Sequence, residues 1–235
     1  MYAFESRIRY SDTDHHRTLT LPGLINYFQD CSTFHSGSIG YGVEELEGVG
    51  RAWILSYWQI VADRYPRLGE HVTVSTWASK FRGFLGERNF LMTDESGGVC
   101  ARAYSVWAYM DMKKGRPVRP GEEELARYGT EAPLEMEYAP RKIRLPEETE
   151  EGERIRVGKS HIDTNEHVNN CRYVQMALEA LPEEILVRQV RVDYKKSAML
   201  GDIIVPQIAR EEDRTVVELT DPEGEIYAVV ELTGE

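Results

Sequence analysis

Apolar positions along this chain follow two periods, and the switch from helical spacing to strict alternation occurs twice. Phe4 to Tyr10 alternate, with Phe4, Ile8 and Tyr10 on one face, and a polar loop from Ser11 to Thr18 follows. Thr20 then reads as an N-cap with Pro22 in the first turn, where its missing N–H costs nothing. Leu24, Ile25, Phe28 and Cys31 recur at helical spacing until Gly37, Gly40 and Gly42 end the run. From there the spacing drops to two and β-branched and aromatic residues dominate. Strands are predicted at Trp53 to Val61, His71 to Ala78, Phe84 to Thr93 and Val99 to Met112. Arg67 to Glu70 and Asp94 to Gly98 are Gly-containing connections of hairpin type.

The second half repeats this order. Arg154 to His161 reads as a strand, Asp163 to Asn169 as a polar loop, and Cys171 to Leu181 as a helix stopped by Pro182. Tyr173, Val174, Ala177, Leu178 and Leu181 form its apolar side. Strands follow at Val187 to Tyr194, Asp202 to Ala209, Thr215 to Thr220 and Ile226 to Leu232. The turns correspond too: Leu68-Gly-Glu70 matches Leu200-Gly-Asp202, and Asp94 to Gly97 matches Asp221 to Gly224. One helix followed by antiparallel strands, occurring twice, predicts an α+β protein of two related halves. We place the first repeat at residues 1–125, an acid-rich and partly helical connection at 126–152, and the second repeat at 153–235.

The 235 residues suffice for two domains, and 41% hydrophobic with 29% charged residues is ordinary for a globular chain. The net charge of −12 argues against nucleic acid or an anionic membrane as partner, since both need a basic footprint. No stretch approaches the ~20 apolar residues of a membrane-spanning helix, and the N-terminal residues lack a signal-peptide core. A cytoplasmic location is the expectation. Cys31, Cys100 and Cys171 are odd in number and far apart, which predicts buried free thiols rather than a disulfide framework or a zinc site.

The densest chemistry lies in Asp163-Thr-Asn165-Glu-His167-Val-Asn169-Asn170, just before the second helix. His167 can act there as a general base toward water, Asn165 can orient that water or bind a substrate oxygen, and Asp163 can fix the loop or orient the imidazole. The competing reading is that these Asp and Asn residues only cap turns. The loop is echoed by Asp12-Thr-Asp-His-His16, which pairs Asp163 with Asp12 and His167 with His16. Other constellations are weaker. Ser197 and Cys171 lack a G-x-S-x-G elbow, and His15, His16 and His35 lack an H-E-x-x-H pattern or a cysteine cluster. Gly48-Val-Gly50 reads as a turn rather than a dinucleotide loop.

The run from Asp163 to Tyr173 resembles the D-x-N-x-H-V-N-N-x-x-Y motif of the acyl-acyl carrier protein thioesterases. Arg17 to Asp30, Arg51 to Trp77, Ala103 to Trp107 and Arg116-Pro117 resemble the N-terminal repeat of that family. The resemblance implies two tandem hot-dog repeats, each an antiparallel sheet wrapped around a long helix. It implies hydrolysis of a fatty acyl thioester carried by acyl carrier protein, with no metal or cofactor. Acyl-coenzyme A hydrolysis and non-catalytic thioester binding are the alternatives.

Carried over by position, Asn165 and His167 match catalytic residues and Asp163 the loop acid. Asn169, Asn170 and Trp53 are candidates for substrate contact. Plant members have a strand resembling E-Y-R-R-E-C, where this chain has Asp193-Tyr-Lys-Lys-Ser197-Ala198. Ser197 thus takes the place of a carboxylate, and Glu179 on the second helix is an alternative acid. Asp14 resembles the catalytic Asp of single-repeat hot-dog thioesterases with a Y-x-D-T-D loop, but the Asn-Asn after His167 has no counterpart after His16. Since the carrier protein is acidic, Arg172, Arg188, Arg191, Lys195 and Lys196 are candidates for docking it. Two hot-dog repeats supply internally the pairing that single repeats obtain by dimerising, so a monomer and a homodimer are both compatible.

Overall fold

The computed structural model describes residues 1–234 and divides the chain into two compact units. The first comprises Met1–Ser56 and Ile60–Tyr138; the second comprises Tyr57–Gln59 and the chain from Ala139. In the first, β1 (Tyr2–Arg7) leads to α1 (Leu21–Ser38) and the short α2 (Val43–Gly48). Then come β2 (Arg51–Ala62), β3 (His71–Arg82), β4 (Leu85–Asp94), β5 (Val99–Asp111), β6 (Arg116–Pro117) and α3 (Glu122–Tyr128). The second unit holds β7 (Glu150–Glu151), β8 (Ile155–Arg156) and α4 (Asn170–Glu179). It ends with β9 (Val187–Tyr194), β10 (Ile203–Arg210), β11 (Thr215–Thr220) and β12 (Ile226–Gly234).

The strand order is β1-β3-β4-β5-β2 in the first unit and β9-β12-β11-β10-β7 in the second. Each is an antiparallel sheet packed on one helix, as the alternation of periods predicts. Thr20 caps α1, its Oγ1 accepting from the Gly23 N–H at 3.1 Å, a contact worth about 1 kcal/mol. Leu24, Ile25, Phe28 and Cys31 are completely buried on the sheet side of α1, and each large apolar side chain there contributes roughly 1.5–3 kcal/mol. The other face of β3 and β4 is covered as well. Trp77 donates to the Ala132 carbonyl and Leu134 N–H donates to Asn89 Oδ1, so part of the acid-rich connection lies on the sheet. The three cysteines are free and buried. Among the described residues no helix is long and apolar enough to cross a membrane.

Several local expectations need correction. Tyr10 leaves the inner face: it starts a 3-10 turn and is 84% exposed, because the strand has already ended at Arg7. Arg154 to His161 is strand only at Ile155–Arg156, and Lys159–His161 forms a second 3-10 turn braced by the Gly158 N–H on His161 Nδ1. Arg67 to Glu70 is not a hairpin, since β2 and β3 are not neighbours in the sheet, whereas Asp94 to Gly98 is one. On α4 it is Met176 that is buried, while Leu178 is only half-buried.

One buried cation has no carboxylate against it among the described residues. Arg88 on β4 lies 2.8 Å from His35 Nδ1, donates to Thr76 Oγ1 at 3.2 Å and sits over the Tyr128 ring. A guanidinium can only donate, so His35 Nδ1 must be the acceptor and the ring must be neutral. Burial, together with the Arg88 charge, pushes the His35 pKa from 6.5 down to about 4. The unfolded chain therefore binds a proton here that the folded chain refuses between those values, so stability falls as pH drops through that window. Chemical denaturation at pH 7 and pH 4.5 should show a loss roughly 2–3 kcal/mol larger for the wild type than for His35→Gln. Equal losses would remove His35 from the acid sensitivity.

Candidate active site

The loop before α4 is held by its own backbone. Asp163 N–H donates to the His167 carbonyl at 2.8 Å, Glu166 N–H to the Asp163 carbonyl at 3.1 Å, and Asp163 Oδ1 accepts from the Asn165 N–H at 2.8 Å. The Asp163 carboxylate thus fixes the turn, the first of its two predicted roles. Closing so tight a loop puts Glu166 at φ 61°, a left-handed conformation that side chains seldom adopt. That reversal sets the direction in which His167 leaves the turn.

A second segment runs antiparallel to the loop. His167 pairs with Met199, and Val168 N–H donates to the Ala198 carbonyl at 2.9 Å, so Ser197 continues the register opposite Asn169. Ser197 is exposed. Two tyrosines tie this segment to the helix: Tyr173 Oη accepts from the Ala198 N–H at 2.8 Å, and Tyr194 Oη donates to the Asn170 carbonyl at 3.0 Å. Burial pushes the Tyr173 pKa up to about 12. The bracing role of residues 197–199 is not visible in periodicity; the match of Leu200-Gly-Asp202 to Leu68-Gly-Glu70 is the signal that locates it.

Asn169 is the N-cap of α4: its Oδ1 accepts from the Cys171 N–H at 3.0 Å, and its carbonyl accepts from Arg172 N–H at 2.9 Å. Two first-turn donors are therefore already engaged. Asn165 is exposed and His167 half-buried, and among the described residues no hydrogen bond to the His167 imidazole is formed. The ring is left available to a substrate or water. Glu179 lies on the last turn of α4, where it accepts from Gln175 at 2.7 Å, about 13 Å along the helix from Asn170. The structure thus gathers Asp163, Asn165, His167, Asn169 and Ser197, and leaves Glu179 apart.

Trp53 stands in an aromatic cluster of the first unit, with ring centroids 4.8 Å from Tyr109 and 6.0 Å from Phe81. Of the basic residues, Arg191 is half-buried in an ion pair with Glu231, which rules it out as a docking group. Lys195 and Lys196 pair with Asp193 and Asp221 but keep about half their side chains exposed, and Arg172 is bonded to Gln175.

The echo in the first half has the same backbone scheme but a different register from the expected one. Asp14 N–H donates to the Thr18 carbonyl, Arg17 N–H to the Asp14 carbonyl, and Asp14 Oδ1 accepts from the His16 N–H. Arg17 has φ 63°, Thr18 pairs with Arg67, and Leu19 N–H donates to the Pro66 carbonyl. Asp163 therefore corresponds to Asp14 rather than Asp12. Thr18, not His16, stands at the position of His167, and His16 stands at that of Asn165.

Comparison with protein families matches residues 1–128 to the acyl-ACP thioesterase N-terminal domain and residues 144–233 to the acyl-ACP thioesterase C-terminal domain. The chain belongs to the acyl-ACP thioesterase family. Among curated relatives, a chloroplastic acyl-[acyl-carrier-protein] hydrolase of Cuphea viscosissima is 30% identical over 209 residues, covering 80% of this chain and 49% of that protein. The chain spans about half the length of these curated relatives. Among solved structures, an acyl-ACP thioesterase from Bacteroides thetaiotaomicron superposes with a TM-score of 0.89 at 24% identity, covering 99% of this chain and 97% of that one. A 12:0-ACP thioesterase from Umbellularia californica gives 0.85 at 18% identity, covering 100% and 96%. Both likenesses establish the double hot-dog fold of this thioesterase family member.

Proposed function

We propose that this chain hydrolyses the thioester between a fatty acyl group and the phosphopantetheine arm of acyl carrier protein, releasing the free fatty acid. Family membership supports the reaction class. The observation that carries the reading is His167, held by backbone pairing on both sides at the mouth of α4 while its imidazole is unengaged. His167 takes a proton from water as the water oxygen attacks the thioester carbonyl, work in which a positioned base contributes typically 10²–10⁴-fold. The Asn165 carboxamide donates to the developing oxyanion, because the Cys171 and Arg172 N–H groups are already bonded to Asn169. Collapse of the tetrahedral species breaks the C–S bond, and the imidazolium returns its proton to the leaving thiolate.

Lys195, Lys196 and Arg172 are proposed to meet the acidic carrier. Lys196 keeps about half of its side chain exposed while it pairs with the buried Asp221 carboxylate, and its ammonium has three donors, so a carboxylate of the carrier can be met without giving up the internal pair. Thiol release from one acyl group presented on acyl carrier protein and on coenzyme A tests the assignment. Faster turnover on the carrier protein is expected. Equal or faster turnover on coenzyme A would transfer the activity to acyl-coenzyme A, and tight binding without thiol release would leave a binding protein.

A further inference from the structure

The duplicated frame supplies an internal control for the loop that carries His167. Counting from the first residue of each helix, Tyr173 of α4 stands where α1 has Leu24, and both are buried. Along the bracing segment, Ala198 stands where the first repeat has Pro66, since each supplies the carbonyl that accepts from the residue before the N-cap. The hydrogen bond from Ala198 N–H to Tyr173 Oη therefore has neither end in the first repeat. Proline has no N–H to donate and leucine no hydroxyl to accept it. Tyr194, whose hydroxyl reaches Asn170, likewise stands at the end of its strand where β2 ends in Ala62. The frame itself closes without these bonds, because the first repeat keeps the same turn, the same left-handed residue and the same backbone pairing. They occur in the repeat that has His167 and are missing from the one that has Thr18.

On the reading of the site given above, we propose that Tyr173 is a positioning residue for thioester hydrolysis: its hydroxyl fixes the backbone of Ala198, and through it Ser197 and Met199, against His167 and Asn169. The buried hydroxyl is bonded to the Ala198 N–H, next to Met199, the residue that pairs with the histidine. A rigid partner strand keeps the imidazole within the few tenths of an ångström that proton transfer tolerates. Loosening that strand is expressed in the rate of the chemical step more than in substrate affinity.

The test uses Tyr173→Phe and the double variant Tyr173→Leu/Ala198→Pro, which installs the first repeat's own pair in the second. Both are expected to fold, with the double variant melting within a few degrees of the wild type. Both are expected to lose roughly tenfold in kcat on an acyl thioester with KM changed less than twofold, the pattern of a misplaced catalytic group. The His167 ring resonances should shift or broaden in proton NMR, and the Ala198 amide should exchange faster with solvent in Tyr173→Phe. A bond that only stabilises the fold would change that amide alone. If the wild type hydrolyses no acyl thioester, the assigned reaction falls, and the His167 resonances still decide the role of Tyr173. Unchanged His167 resonances, or kcat within twofold of the wild type in the folded Tyr173→Phe protein, would overturn it; should the double variant not fold, the single variant carries the decision.

Discussion

His167→Ala is expected to lower turnover of an acyl-thioester substrate by about 10²-fold or more while the protein stays folded. The side chain makes no hydrogen bond to the rest of the molecule among the described residues, and the backbone around 167 is held by the His167 carbonyl, which accepts from the Asp163 N–H, and by the Val168 N–H on the Ala198 carbonyl rather than through the ring. Truncating it removes a proton acceptor without unpairing the loop. Asn165→Ala should cost a comparable factor, because the Cys171 and Arg172 N–H groups are already bonded to Asn169 and do not replace the amide proposed to meet the oxyanion. The double variant is expected to lose much less than the product of the two, as groups acting on one transition state do. Steady-state kinetics with a thiol-release assay, read beside circular dichroism, checks both. Activity of His167→Ala within a few-fold of the wild type would remove the proposed base.

Glu231→Ala is the substitution expected to cost most in stability. Its carboxylate, only 3% exposed on β12, accepts from Arg191 at 2.6 Å and from Arg214 at 2.5 Å. Burial raises its pKa, but the two guanidiniums outweigh burial and hold it below the ordinary glutamate range. Its contribution is therefore complete above the unfolded value of about 4.3 and is lost as pH falls through the lower, folded value. Removing the carboxylate leaves two cations in poor contact with water. Arg214 retains Glu211, whereas Arg191 retains the Pro140 carbonyl. Breaking a buried ion pair from one side typically costs 3–5 kcal/mol, and that is the loss expected in urea denaturation at pH 7. A loss below about 1 kcal/mol would show that water reaches the arginines once the carboxylate is gone.

Both halves were legible because their elements are long and their periods differ. The helix at Leu21–Ser38 is announced by Thr20, Pro22 and four apolar residues at helical spacing, and β9 and β11 fall where the alternation runs. The short pieces were not legible. Two-residue strands such as Ile155–Arg156 carry no period, and Lys159–His161 turns where an extended pattern would have run on. Tyr10 shows the same limit, since its parity with Ile8 has no meaning after the strand ends.

The site divides along the same line. The residue types of the Asp163 to Asn170 loop point to proton transfer, the chemistry proposed above, and that reading needs no coordinates. Its resemblance to Asp12 to His16 could be read in more than one register, because local similarity of Asp, Thr and His does not distinguish a shift of two residues. Only the pairing of Thr18 with Arg67 and of His167 with Met199 decides which residues correspond. Charge makes Arg191, Lys195 and Lys196 equal candidates for the carrier, whereas burial holds Arg191 against Glu231 and leaves the two lysines half exposed. What the sequence determined by itself is the order of elements, their duplication and the density of polar groups in one loop, because these depend on neighbours in the chain. What the tertiary structure alone decided is how that loop is held, by the segment between β9 and β10 some thirty residues further on and by two tyrosine hydroxyls, because contacts across such a distance leave no periodic trace.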